Sequence, residues 1–291
     1  MMSDPRLSGA RLAWACVLLM GAASAISQAQ TNPFERGPDP TSSLLNASAG
    51  PLATASVAVT SPSGFGGGTI YYPTAANTYG VIALCPGFTG TQSSVAWLGS
   101  RLASHGFVVV TMNTNSSLDF PASRATQLIA ALNHVVNNSN ATVKSRIDPN
   151  RRAVGGHSMG GGGSLIAAQN NPSLKGAYPL TPWNTSTSFS GVSVPVMIIG
   201  ADGDSTAPVA SHSRPFYASL PAATLKAYGE LNGATHSTPT STNVPTGRYA
   251  VSWMKRFVDT DTRYSPFLCG AEHTSYATAA VFDRYQQNCP Y

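Results

Sequence analysis

Three residues spaced along the chain, Ser158, Asp204 and His236, are of types that together could carry nucleophilic acyl transfer. Ser158 lies in Gly156-His157-Ser158-Met159-Gly160, a G-x-S-x-G pentapeptide. In such an elbow the serine occupies a strained strand-to-helix turn that only small neighbours permit. Its hydroxyl then projects at a helix N-terminus, whose dipole favours negative charge. A serine hydroxyl is a poor nucleophile until a base takes its proton, and that base must be oriented by a carboxylate. On a scaffold of alternating strands and helices the partners follow in the order Ser, Asp, His. Downstream of Ser158, Asp202 and Asp204 share the loop Gly200-Ala201-Asp202-Gly203-Asp204-Ser205-Thr206-Ala207-Pro208. Asp204 is taken as the acid, with Asp202 left as the alternative acid or as a turn cap. His236, in Asn232-Gly233-Ala234-Thr235-His236-Ser237, follows the last strand pattern and is the expected base. His105, His134, His212 and His273 have structural, packing or surface readings from their positions. His157 adjoins the nucleophile, where elbow side chains diverge, and is expected to line the cleft.

Acyl transfer also needs donors for the developing oxyanion: the amide after the nucleophile and one from the loop after an early strand. Met159 supplies the first. Pro86-Gly87-Phe88-Thr89-Gly90 offers the second, with the Phe88 amide as the choice. No Cys/His spacing matches a zinc site.

The elements that must hold these residues can be read from hydrophobic period. Residues 55–60 and 68–72 alternate around a Gly-rich turn and predict an antiparallel hairpin. Short, continuous apolar runs at 81–85, 107–112, 152–155, 176–178, 194–200 and 225–231 suit strands buried on both faces of a parallel sheet. Between them, 93–105, 121–137, 160–169, 207–219 and 248–258 predict helices. The order is βα throughout, which points to an α/β class protein with the α/β-hydrolase fold: a mostly parallel twisted sheet, an N-terminal hairpin and helices on both faces. Right-handed crossovers place the chemistry-bearing loops at the C-terminal edge of the sheet. No repeat or second composition regime appears, so residues 30–291 are expected to form one domain.

Composition narrows the setting. Only 10% of residues are charged, and 17 Lys and Arg against 12 Asp and Glu give a formal net charge of +5. The excess is scattered without a basic block, which argues against nucleic acid as a partner. Arg6 and Arg11 precede an apolar run over 12–26, and small residues follow. This predicts a signal peptide over 1–29, cleaved after Ala29 or Ala25, and hence a secreted protein. The run is about 15 residues, short of the roughly 20 that cross a bilayer, so no membrane span is expected. Of four cysteines, Cys16 leaves with the signal peptide. Cys269 and Cys289 bracket a loop-rich tail, where export permits a disulfide. Closing such a loop contributes on the order of 3 kcal/mol in the chain-entropy picture. Cys85 ends an apolar strand pattern and reads as a buried, inert thiol.

From about Gln30 to Cys289 the chain resembles bacterial cutinases and the related poly(ethylene terephthalate) hydrolases. The residues that carry the resemblance include Thr31-Asn32-Pro33, Pro86-Gly87-Phe88, the stretch 101–107, the Gly-rich elbow 156–165, Pro182-Trp183, the stretch 204–208 and 253–257. The resemblance implies a lidless groove that accepts long polyesters, an acyl-enzyme and no cofactor. It carries over Ser158, Asp204 and His236 as triad, Phe88 and Met159 as oxyanion amides, and Phe88, Met159, Trp183 and Thr206 as an apolar cleft, with His157 and Ser237 beside it. Trp183, just after a strand, could also stack on an aromatic acid unit, its other reading being a core Trp under a loop. The chain departs from the most specialised members at several places. It has His157 where they have Trp, Ala201 and Thr238 where they have an extra cysteine pair, and His212 and Phe216 behind the cleft Trp. Its loop from His236 to Trp253 is also shorter.

The resulting expectation is a secreted, monomeric serine esterase acting on polyesters, cutin-like and aromatic, and on short acyl esters. The alternatives are a triacylglycerol lipase and, from another class, a non-catalytic surface-adhesion protein.

Overall fold

A computed structural model describes residues 32–291, and the expected signal peptide lies outside them. The nine strands among the described residues are β1 (Thr54–Val59), β2 (Gly68–Pro73), β3 (Tyr79–Cys85), β4 (Phe107–Met112), β5 (Ile147–His157), β6 (Gly176–Leu180), β7 (Val196–Ala201), β8 (Lys226–Leu231) and β9 (Phe282–Gln287). They form one sheet in the order β1-β2-β4-β3-β5-β6-β7-β8-β9. β3 to β8 run parallel. β1 and β2 form the expected antiparallel hairpin, and β9 closes the far edge antiparallel to β8.

The helices are α1 (Ser42–Asn46), α2 (Ser93–Ser104), α3 (Pro121–Asn138), α4 (Ala141–Lys144), α5 (Met159–Asn170), α6 (Ser213–Ser219), α7 (Val244–Val258), α8 (Pro266–Cys269) and α9 (Ala271–Tyr276). Alternate residues of the central strands pack into two different cores. Val81, Ala83, Val108, Val110, Val154 and Ile198 meet Leu128 and Leu132 of α3 and Leu165 of α5. Ile82, Leu84, Val109, Tyr178, Met197 and Ile199 meet Leu98 and Leu102 of α2 and Trp253 and Met254 of α7. Helices cover both faces, so no strand position of β3 or β4 meets water, which is why these strands read as unbroken apolar runs.

The structure corrects several boundaries. α6 begins at Ser213, because residues 207–212 around Pro208 fold as turns that lead into it. α7 begins at Val244, where the Asn243 side chain accepts from the Thr246 amide and Pro245 takes a first-turn position. The tail after Cys269, expected to be loop, holds α9 and β9. β9 escapes the apolar signal because only Phe282 of its six residues is buried, as suits a sheet edge.

Candidate active site

β3 is hydrogen-bonded to β4 on one side and to β5 on the other, so the chain direction across the sheet reverses between β3 and β5. Ligand crevices in open α/β sheets form outside the carboxyl ends of strands at such a switch. Phe88 follows β3 and Ser158 follows β5, which puts both at this crevice. The loops after β7 and β8 bring Asp204 and His236 to the same edge.

Ser158 stands between β5 and α5 with φ 54° and ψ −120°, a conformation that costs a non-glycine residue about 1–3 kcal/mol. Backbone bonds hold it there: its amide donates to the Leu180 carbonyl at 3.0 Å, and its carbonyl accepts from Gly162 and Trp183, each at 2.9 Å. The turn needs small neighbours. A Cβ on Gly156 would stand 2.6 Å from the Cys85 carbonyl oxygen, and one on Gly160 would press closer still on the same atom. Of five non-glycine residues with positive φ among those described, Ser158, Thr89 and Thr181 all lie at this site, so backbone strain is concentrated where the candidate chemistry is.

His236 Nε2 lies 2.9 Å from Ser158 Oγ, and His236 Nδ1 lies 2.8 Å from Asp204 Oδ2. With Nδ1–H donating to the carboxylate, Nε2 is left to accept from the serine hydroxyl. Burial alone pushes the Asp204 carboxyl up. The hydrogen bond from His236, the amides of Ala207 and Thr206, and the charge that His236 can carry outweigh it and hold the carboxyl below its ordinary range. Asp202 points elsewhere: its two oxygens accept from the Gly233 and Ala234 amides, both at 3.0 Å. It therefore shapes the turn that delivers His236.

The His236 carbonyl accepts from His157 Nε2 at 2.8 Å and from Thr181 Oγ1 at 3.1 Å. The two donors fix the backbone of the base loop from β5 and β6. Burial pushes the His157 imidazolium down to about 4, with the nearby His236 charge acting in the same direction, against its bond to the His236 carbonyl and the Asp204 charge. Sequence reading passed over Thr181 in this part; a hydroxyl directly after a strand, two residues before Trp183, was the available signal.

The Phe88 amide has no acceptor among the described residues. Met159 is the first residue of α5, so its amide has no partner within the helix. A cleft of about 330 Å³ beside Ser158 is lined by Phe88, His157, Thr206, His236 and Ser237, among others. Met159 and Trp183 are not part of that lining. Met159 is buried beneath, and Trp183 is partly buried on the flank, its ring 6.1 Å from both His212 and Phe120. Cys85 is free and fully buried, and burial pushes its thiol up to about 12, which removes it as a competing nucleophile. Away from the site, Cys269 and Cys289 form a disulfide. Among the described residues no group of His, Cys, Asp and Glu is placed to hold a metal, and no helix is long and apolar enough to cross a membrane.

Comparison with known proteins places the chain among ester hydrolases. A family model described as PET hydrolase-like matches residues 28–290. Cutinase 1 of Thermobifida cellulosilytica is 55% identical over 262 residues, covering 89% of this chain and 99% of that protein. A cutinase of Thermobifida fusca (strain YX) is also 55% identical, over 89% of this chain and 86% of its own length. A bis(hydroxyethyl) terephthalate hydrolase of Streptomyces coelicolor is 50% identical over 291 residues, covering 98% of this chain and 92% of that one. With the match running nearly end to end at this identity, the chain belongs to the PET hydrolase-like family and is a carboxylic-ester hydrolase.

Proposed function

We propose that the protein is a secreted serine esterase that cleaves polyesters, cutin-like and aromatic, and short acyl esters through an acyl-enzyme on Ser158. The observation that carries this reading is the unbroken relay from Asp204 through His236 to Ser158 at the N-terminus of α5. His236 Nε2 takes the hydroxyl proton as Ser158 Oγ bonds to the acyl carbon. The amides of Phe88 and Met159 receive the negative charge that develops on the carbonyl oxygen, where local positive potential and the helix dipole favour it. Collapse breaks the acyl–oxygen bond, and the departing alcohol takes the proton from His236. Water then gives a proton to the same nitrogen as it attacks the acyl carbon, and collapse breaks the acyl–Oγ bond, Oγ taking the proton back from His236 as the acid leaves. The cycle uses protein groups alone and calls for no cofactor. Phe88, Met159, Trp183, Thr206, Ser237 and His157 would contact the substrate.

The apolar run at 12–26 behind Arg6 and Arg11 supports removal of residues 1–29 during export. Residues 30–291 would then act as a single, monomeric catalytic domain that binds no nucleic acid and does not span a membrane. Hydrolysis of a short-chain nitrophenyl ester tests the reading. Ser158→Ala should lower kcat by at least about 10⁴-fold with the fold intact, and unchanged turnover would exclude Ser158 as nucleophile.

A further inference from the structure

The turn that delivers His236 contains the chain's only Asn-Gly pair, Asn232-Gly233. Asparagine is among the least durable side chains, because its amide carbon is open to attack by the backbone nitrogen of the next residue. A side chain on that next residue obstructs the approach, whereas glycine leaves it clear and lets the backbone bend. Both residues are exposed and lie in a turn directly after β8. Gly233 has φ 64°, and a Cβ there would meet no atom within 4 Å. The surroundings therefore leave the pair open to water and free of packing that would block ring closure.

The same pair is a joint between three segments. The Asn232 backbone amide donates to the Val281 carbonyl at 3.0 Å, and its side-chain Nδ2 donates to the Ala279 carbonyl at 2.9 Å. These two bonds tie the turn to the stretch that leads into β9. The Gly233 amide donates to Asp202 Oδ2 at 3.0 Å, and the Ala234 amide to Asp202 Oδ1 at the same distance. These two tie it to the loop that carries Asp204. His236 stands three residues beyond Gly233, so any change in this joint reaches the imidazole through a short length of chain.

We infer that Asn232 is a site of spontaneous covalent modification, passing through a cyclic imide to aspartate and isoaspartate, and that the change slackens the loop carrying His236. Base-promoted loss of the Gly233 amide proton lets that nitrogen bond to Asn232 Cγ. The Cγ–Nδ2 bond breaks, and the side-chain nitrogen takes up a proton and leaves as ammonia. Water then opens the imide ring at either carbonyl. Opening at the backbone carbonyl routes the chain through Cβ and Cγ and lengthens it by one carbon. Each stage removes something the joint uses. The imide nitrogen has no hydrogen for Asp202 Oδ2. Aspartate sets a carboxylate where a donor faced the Ala279 carbonyl, and either acid adds negative charge next to the amide that Asp202 holds, where like charges repel. The lengthened chain shifts the turn itself. The loss of turnover rests on ester hydrolysis at Ser158, whereas the conversion of Asn232 does not.

The test holds the purified protein at mildly alkaline pH and follows it by peptide mass mapping, by methylation with an isoaspartyl methyltransferase and by nitrophenyl ester hydrolysis. Asn115 and Asn138, each followed by serine, serve as internal controls. Acid and isoaspartate should appear at position 232 before either control converts. The converted fraction should retain about a fifth of the starting kcat, the change expected for one lost hydrogen bond. Thermal unfolding shows that the chain is still folded when turnover falls. Asn232→Gln, whose longer side chain disfavours closure of the ring, should resist both the conversion and the decline measured from its own starting activity. An intact amide at 232 after the controls have converted would overturn the inference. Full conversion with kcat unchanged would overturn it as well, as would an equal decline in Asn232→Gln. Failure of the underlying reading is separable, because it would show as ester turnover that survives Ser158→Ala while position 232 still converts.

Discussion

The His236 carbonyl receives two hydrogen bonds, one from His157 Nε2 and one from Thr181 Oγ1, and this pair braces the backbone of the proposed base. Thr181 is fully buried with φ 35°, so its hydroxyl has no water to turn to. Thr181→Val keeps the shape and deletes the donor, a change of about 1 kcal/mol. The expected result is a kcat for nitrophenyl ester hydrolysis about fivefold lower with KM little changed, while Thr181→Ser restores it. The order Ser158, Asp204, His236 could be read from the sequence because the scaffold imposes it. Sequence reading took Asp204 over Asp202, although both sit in one loop two residues apart, and in the structure Asp202 turns to the amides of Gly233 and Ala234 while Asp204 turns to the imidazole.

Among the elements, α3 has a reach that its apolar pattern did not disclose. Arg124 is fully buried, and its three carbonyl partners tie the loop after β3 to the loop before α3. Its Pro86 partner lies two residues before the Phe88 amide. Arg124→Gln leaves those carbonyls short of donors in a dry setting, which should cost about 3 kcal/mol in denaturant unfolding. A drop in kcat larger than any change in KM should accompany it, because the Phe88 amide would lose its aim. Full stability in that variant would contradict the bracing role. The central strands were legible because both faces are buried. The start of α7 and the whole of β9 were hidden for opposite reasons: a Pro and a Gly interrupt the helix pattern at 245 and 247, and an edge strand carries Asp283, Arg284 and Gln286 outward.

For the whole molecule, three buried imidazoles set the response to acid. Burial pushes His105 down to about 3 with help from the Lys255 and Arg101 charges, His157 down to about 4, and His273 down to about 4 with help from Arg248, all from an ordinary value of 6.5. Below pH 6.5 the unfolded chain takes up protons that the folded chain refuses. Stability should therefore be at full strength above pH 6.5 and fall as pH drops toward 4, by up to about 1.4 kcal/mol per pH unit for each histidine. Urea midpoints at pH 7.5 and pH 5 measure this, and equal midpoints would contradict it. The Cys269–Cys289 bridge could be read from the cysteines bracketing the tail. The packing it serves, α8 tied to the end of β9, required the three-dimensional path of the tail.

The most direct measurement of the central claim is mass spectrometry after treatment with an organophosphonate ester. One adduct per chain, confined to the peptide that contains Ser158 and formed in step with loss of ester hydrolysis, is the predicted result. An adduct on another residue, or full activity in a protein labelled at Ser158, would contradict it.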